Sequence, residues 1–346
     1  MLVERFATAP RVLEVEPPTV TADGVIIRVE ATGLCRSDWH GWQGHDRDIV
    51  LPHVPGHEFA GTVIEAGPDV VRFAVGDRVT APFVCACGSC AECSSGNQQT
   101  CLRQQQPGFT YWGSFAEFVA VPWADVNLVR LPDSVSFVAA AGLGCRFATA
   151  YRGVRQVGQV QAGEWVAVFG CGGVGLAAIT LAASAGARVI AVDVNPAALS
   201  LASTHGAAHL VQAGSGRGTG SPDVATQVRM ISDGGAVVAI EAIGAADAVQ
   251  SALDSLRPRG RLVQIGLLAG KVAVDMGALI SRELRWLGSH GMAARSYPEL
   301  LVEIARGDFD PASFVVAEIS LGEVPNALLA IADNLSSGVT VIVPSR

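Results

Sequence analysis

From Trp165 to Ala187 the chain runs for 23 residues without a charged side chain, which by length alone could cross a membrane. Gly170, Gly172, Gly173 and Gly175 lie near its middle, where they would break a spanning helix. The stretch reads instead as a buried strand over 165–169, a tight turn, and an alanine-rich helix over 176–185. The turn, Gly170-Cys-Gly-Gly-Val174-Gly175, has the spacing G-x-G-x-x-G between strand and helix, the context that strengthens an otherwise weak motif. Gly170 permits the turn, Gly172 lets a pyrophosphate approach the backbone, and Gly175 lets helix and strand pack closely, with the helix N-terminus facing the negative charge. Asp193 follows 23 residues after Gly170, at the end of the next strand, placed to accept hydrogen bonds from ribose hydroxyls and to repel a 2′-phosphate. No Arg or Lys occurs from Val194 to Ala208, so NAD is preferred over NADP.

Beyond this point apolar runs alternate with helical segments, the pattern of a parallel sheet covered on both faces. Six strands are expected, at 165–169, 188–193, 209–212, 236–241, 261–265 and 285–287. Before residue 145 the texture differs, with short β-like runs at 25–31, 58–65, 77–82 and 115–121 separated by Gly, Pro and Asp. The 58 residues after Gly288 include a helical segment at 297–306 and an alternating end at 338–344; they are too few for a core of their own and are expected to complete the first domain. The glycine-rich run from Ala213 to Pro222 lacks the strand-to-helix setting of a phosphate loop and reads as a surface loop.

Half the residues are hydrophobic and 16% are charged, against about 25% in an average domain, which excludes extensive disorder. The net charge of −8, with no basic block, argues against a nucleic-acid partner. The N-terminus offers no basic segment followed by an apolar run, so a cytosolic chain with no membrane association is expected. In a reducing compartment the eight cysteines are better suited to metal than to disulfides.

Cys87, Cys90, Cys93 and Cys101 are spaced 3, 3 and 8, close enough to surround one tetrahedral ion, and four thiolates would close the shell around a structural zinc. Cys85 stands outside that set and reads as a buried thiol. Cys35, His57 and Cys145 each lie near glycine, in Gly33-Leu-Cys-Arg-Ser-Asp38, Gly56-His-Glu-Phe59 and Gly142-Leu-Gly-Cys-Arg146. Taken alone, each has an ordinary structural explanation; together they could supply three ligands and one open position, as a catalytic zinc requires.

These anchors, in this order and at these separations, closely resemble the zinc-containing alcohol dehydrogenases of the medium-chain dehydrogenase/reductase superfamily, over nearly the whole chain. The resemblance implies an α/β plus β architecture, in which a GroES-like β-barrel catalytic domain (1–146 and 289–346) encloses an inserted Rossmann doubly wound parallel sheet (147–288). It implies two zinc ions and NAD per chain, and a homo-oligomer, tetramer or dimer. By the same analogy Ser37 touches the substrate oxygen and His40 relays its proton outward. Asp38 orients His57, and Glu58 either shares that task or joins the metal transiently. Arg36 pairs with the cofactor pyrophosphate, Val174 and Thr149 flank the nicotinamide, and Phe83, Trp112 and Leu267 line the substrate pocket, Leu267 also beside the cofactor. One departure stands near the C-terminus, where the family often has Gly-Arg and this chain reads Gly338-Val339. The function so implied is reversible hydride transfer between a primary or secondary alcohol and NAD, giving an aldehyde or ketone. The alternatives are a polyol or amino-alcohol dehydrogenase and a noncatalytic zinc- and nucleotide-binding protein.

Overall fold

The computed structural model describes residues 1–214, 223–268, 270–331 and 338–346, so most of the glycine-rich run expected to be a surface loop (215–222) lies outside the described residues. Among the described residues two compact units emerge, one of Met1–Ala148 with 291–331 and 339–346, the other of Thr149–His290 with Gly338.

In the first unit, strands β1 (Val25–Leu34), β2 (Phe59–Ala66), β3 (Arg78–Thr80), β4 (Phe118–Val121) and β5 (Val129–Arg130) form one sheet with two strands from the chain's end, described below. Its apolar faces pack Val25, Ile27, Val29, Phe59, Val63, Val79, Val119 and Val121 into a common core. The antiparallel pairing of β1 with β2 matches Thr32 to Phe59. That register sets the segment leaving β1, beginning at Cys35, beside the segment entering β2, ending at Glu58. The pairing is continued by the Gly33 N–H, which donates to the Glu58 carbonyl at 2.7 Å.

The second unit holds a six-stranded parallel sheet of β6 (Trp165–Phe169), β7 (Arg188–Asp193), β8 (Ala207–Gln212), β9 (Ala236–Glu241), β10 (Leu256–Gln264) and β11 (Arg285–Gly288). Their order across the sheet is β11-β10-β9-β6-β7-β8, the doubly wound dinucleotide-binding order. All six residues of β9 are buried, as expected of a parallel strand covered on both faces. All six expected strands are present, β10 beginning earlier than the sequence suggests.

The chain's end returns to the first unit. The helix Tyr297–Arg306 forms, and β12 (Val315–Ile319) and β13 (Val339–Ile342) extend the first sheet, β13 pairing antiparallel with β1. Two strands gave no sequence signal. β5 is two residues long, and the three central residues of β12 are exposed, so neither shows the buried alternation that marks a strand. Val339, where the family pattern places arginine, is buried at the start of β13. Among the described residues no helix is long and apolar enough to cross a membrane.

Candidate active site and cofactor turn

Three loops of the first unit bring one ligand-bearing side chain each to a common point. Cys35 precedes the helix Arg36–Trp42, His57 precedes β2, and Cys145 lies in a wide helical turn over Leu143–Phe147. One ligand atom from each of Cys35, His57, Glu58 and Cys145 lies within 4.8 Å of all the others. Two glycines make this approach possible. A Cβ on Gly144 would stand 2.9 Å from the Ala81 carbonyl oxygen and 3.3 Å from the Glu58 Cα, and one on Gly33 would collide with the Arg146 guanidinium and the Glu58 carboxylate.

Asp38 organises two of the three loops. Its carboxylate accepts the Cys35 N–H at 2.9 Å, which fixes the start of the helix, and the Gly56 N–H at 3.1 Å. It also lies 2.9 Å from His57 Nδ1. A carboxylate only accepts, so Nδ1 carries a proton, and Nε2 is the ring nitrogen left for a metal, which would displace any proton held there. That Nε2 is buried and, among the described residues, has no hydrogen-bond partner. Buried polar atoms are rarely left unpaired, and an imidazole nitrogen within 4.8 Å of two thiols belongs to a donor set that zinc selects. The Cys145 thiol hydrogen-bonds Cys35 and holds it well below the ordinary thiol range, while the same bond pushes Cys145 well above it. One proton is in effect shared between the two sulfurs. Burial pulls the His57 imidazole down, but Asp38 and Cys35 together hold it well above its ordinary value.

For Glu58 one of its two expected roles requires a correction. It does not orient His57, because Asp38 already accepts from that ring; its hydrogen-bond partner is Arg146, although its carboxylate still lies within 4.8 Å of the other candidate ligand atoms. The Arg146 backbone N–H and Nε donate to Glu58 Oε1 at 2.7 and 3.1 Å, and Nη2 pairs with Oε2. Arg146 Nη1 also donates to the Leu34 carbonyl at 3.1 Å. The pair is buried, and burial raises the Glu58 carboxyl above its ordinary value despite the adjacent guanidinium. Sequence reasoning missed this role of Arg146, although an arginine next to a candidate ligand in a chain this poor in charge was an available signal. It also missed Phe109, whose ring centroid lies 5.2 Å from that of His57.

The remaining expected residues are distributed as follows. Ser37 Oγ lies 3.8 Å from Cys35 Sγ, and the Phe83 ring meets His57 edge-on at 6.3 Å between centroids. His40 and Arg36 are exposed on the helix that follows Cys35. Trp112, 41% exposed, donates its indole N–H to the Pro52 carbonyl, and Leu267 is 78% exposed.

A second cluster holds Cys87, Cys90, Cys93 and Cys101. Sulfur separations are 3.4 Å (Cys90–Cys93), 3.5 Å (Cys87–Cys101), 3.7 Å (Cys90–Cys101) and 4.0 Å (Cys87–Cys93). A tetrahedron with metal–sulfur bonds of about 2.3 Å has edges of about 3.8 Å, so these thiols fit one ion. A backbone N–H from Ser89 lowers the Cys87 thiol to about 5, and burial raises Cys93 to about 12. Cys85 is fully buried outside this cluster, 3.6 Å from the Tyr111 hydroxyl.

In the second unit Gly170 turns the chain at φ +92°, and Gly172 caps the helix Gly173–Ser184. A Cβ on Gly175 would fall 1.7 Å from the Gly170 carbonyl oxygen, whereas one on Gly172 would meet nothing within 4 Å. Close packing and an open backbone approach are thus divided between these two positions as a pyrophosphate cradle requires. The Asp193 carboxylate accepts the Cys171 N–H at 2.6 Å and the Asn195 N–H at 2.8 Å. Two of its roughly four lone-pair positions therefore hold the turn and the rest remain for a ligand hydroxyl. Val174 is half-buried in the first turn of the helix, and Thr149 Oγ1 is buried without a partner.

Comparison with known proteins agrees with both halves. The alcohol dehydrogenase GroES-like domain family matches residues 21–133, and the zinc-binding dehydrogenase family matches residues 173–306. An alcohol dehydrogenase of Geobacillus stearothermophilus is 34% identical over 309 residues, 88% of either chain. A D-arabitol-phosphate dehydrogenase of Enterococcus avium is 31% identical over 316 residues, 90% of this chain and 87% of its own. The solved structure of an alcohol dehydrogenase from Thermus sp. ATN1 superposes with a TM-score of 0.88 at 30% identity, covering 99% of both chains. Two converging donor sets, a glycine turn on a doubly wound sheet, and likeness along almost the full length lead to one conclusion: this chain belongs to the zinc-type alcohol dehydrogenases of the medium-chain dehydrogenase/reductase superfamily.

Proposed function

We propose that the chain is an NAD-dependent alcohol dehydrogenase that interconverts a primary or secondary alcohol with its aldehyde or ketone. The observation that carries this reading is the buried, unpartnered Nε2 of His57 among the thiols of Cys35 and Cys145. Those three residues would hold a catalytic zinc, and Cys87, Cys90, Cys93 and Cys101 a structural one. Zinc bound at the first site supplies a Lewis acid for the substrate oxygen, and bound NAD supplies the hydride acceptor. The protein's share is to position and to move a proton. The Ser37 hydroxyl accepts the substrate proton, His40 passes it outward, and Asp38 keeps His57 in the tautomer that ligation needs. Gly172 and the helix N-terminus behind it would hold the pyrophosphate, Arg36 would add its charge to phosphate binding, Asp193 would select the unphosphorylated ribose, and Thr149 and Val174 would contact the nicotinamide. Eight free thiols suit a reducing compartment such as the cytosol.

The test is a panel of alcohols with NAD and with NADP on protein loaded to about two zinc ions per chain. Oxidation of simple aliphatic or aromatic alcohols with NAD is the expected result. The likeness to a D-arabitol-phosphate dehydrogenase favours a second reading, in which turnover is confined to sugar alcohols or their phosphates. Turnover of neither class, nor of an amino alcohol such as threonine, would return the noncatalytic alternative.

The cysteine lobe yields a separate prediction. Its buried cluster consists of Ala86 and three of the cysteines themselves, so little apolar packing holds it once the ion is lost. Cys93→Ala is expected to release one zinc per chain and to lower the thermal midpoint by several degrees, because metal-binding energy there is folding energy. An unchanged melting curve with two zinc ions still bound would reject the assignment.

A further inference from the structure

The helix Arg36–Trp42 is followed by Gln43 and then Gly44, whose φ of +80° turns the chain back on itself. The His45 N–H consequently donates to the His40 carbonyl at 3.0 Å. The same turn brings the two rings together, with Nδ1 of His40 3.0 Å from Nδ1 of His45 and centroids 5.2 Å apart. Trp39 meets both rings edge-on, at 5.0 and 5.9 Å.

We propose that His40 and His45 form a proton-exit dyad, with His45 the station from which the substrate proton reaches water. The inference rests on the reading above in which His40 carries that proton. Two nitrogens at 3.0 Å share one hydrogen, so one ring donates and the other accepts. A proton arriving at Nε2 of His40 lets its Nδ1–H pass to Nδ1 of His45, and His45 releases its Nε2–H to solvent. One proton enters and one leaves; both rings end in the opposite tautomer, and proton exchange with solvent, to which both are exposed, resets the pair for the next turnover. His45 is exposed, as an exit must be. A second proton on the pair would set two N–H groups head to head and break the bond, so the dyad holds one extra proton at a time. Partial burial keeps His40 below its ordinary value; the charges facing it, His45 and Arg36, lower it further, while Cys35 opposes them. Burial and the two neighbouring cations thus favour release over storage.

The test uses the zinc-loaded full chain. Histidine NMR titration of the wild type is expected to show two coupled steps, and in His45→Gln the His40 midpoint should rise, because the charge on His45 no longer faces it. In alcohol oxidation at low buffer concentration, His45→Gln should lose severalfold in kcat below pH 7, recover at high pH, and be rescued by added imidazole. A merely structural role would give no buffer rescue. A wild-type titration and pH profile in His45→Gln, alongside an altered profile in His40→Gln, would overturn the dyad and leave His40 as a lone relay. Unaltered profiles in both variants would remove the relay itself. A chain that oxidises no alcohol would lose the function and the dyad's role together.

Discussion

Cys35→Ala is expected to lower alcohol turnover by at least three orders of magnitude while leaving the fold intact. Loss of a Lewis acid costs several kcal/mol of transition-state stabilisation, and each 1.4 kcal/mol is a factor of about ten. The fold should survive because the contacts that organise the loop do not use the thiol. Asp38 accepts the Cys35 backbone N–H and holds Gly56 and His57 through its other oxygen, and all of these remain when the side chain is shortened. The measurements are steady-state kinetics, zinc content and far-UV circular dichroism on one preparation. Zinc should fall from about two ions per chain to one, with an unchanged spectrum. Cys85→Ala is the control, since that thiol is buried but lies outside both clusters, and it should keep both zinc ions and activity. Wild-type turnover in a folded Cys35→Ala protein would remove the catalytic site from the reading.

The contrast between those two cysteines shows how far sequence could reach. Spacing separated Cys85 from the lobe because 3, 3 and 8 already made a complete set. The parallel sheet was legible because its strands are buried on both faces and therefore read as unbroken apolar runs. Convergence of Cys35, His57 and Cys145 was legible only as a coincidence of motifs, since nothing along the chain encodes that Thr32 pairs with Phe59 and so sets two loops side by side. Interactions between charged groups distant in sequence were the least visible. Glu58 and Arg146 are 88 residues apart, and neither residue's neighbours announce the other. The sequence therefore left Glu58 to be assigned by analogy, either to the task that Asp38 performs or to a transient place on the metal, and neither assignment foresaw Arg146.

That same pair carries the largest expected effect on stability. Arg146 joins three segments at once, reaching Leu34 at the end of β1, Glu58 at the start of β2, and its own turn beside Cys145. Arg146→Met keeps much of the side chain's volume but leaves a buried carboxylate without its counter-ion, which costs about 3–5 kcal/mol. Against a total stability of about 5–15 kcal/mol this is a large fraction. At about 2–4 °C per kcal/mol for a unit of this size, the calorimetric transition of the first unit should fall by about 6–20 °C. Glu58→Gln should also destabilise, since it leaves the guanidinium buried beside a neutral amide. The double variant distinguishes pairing from packing. If the cost of each single change is an unpaired charge, Glu58→Gln with Arg146→Met should be more stable than the sum of the two predicts, because neither charge then remains. Simple additivity would mean that Arg146 acts through its hydrogen bond to Leu34 and its alkyl contacts, and that the ion pair contributes little. The coupling should appear in zinc retention as well. An unpaired Glu58 is free to turn toward the thiols, whereas in the double variant no carboxylate is present to do so, and the catalytic ion should then be lost to chelator at a rate closer to that of the wild type than in Arg146→Met alone.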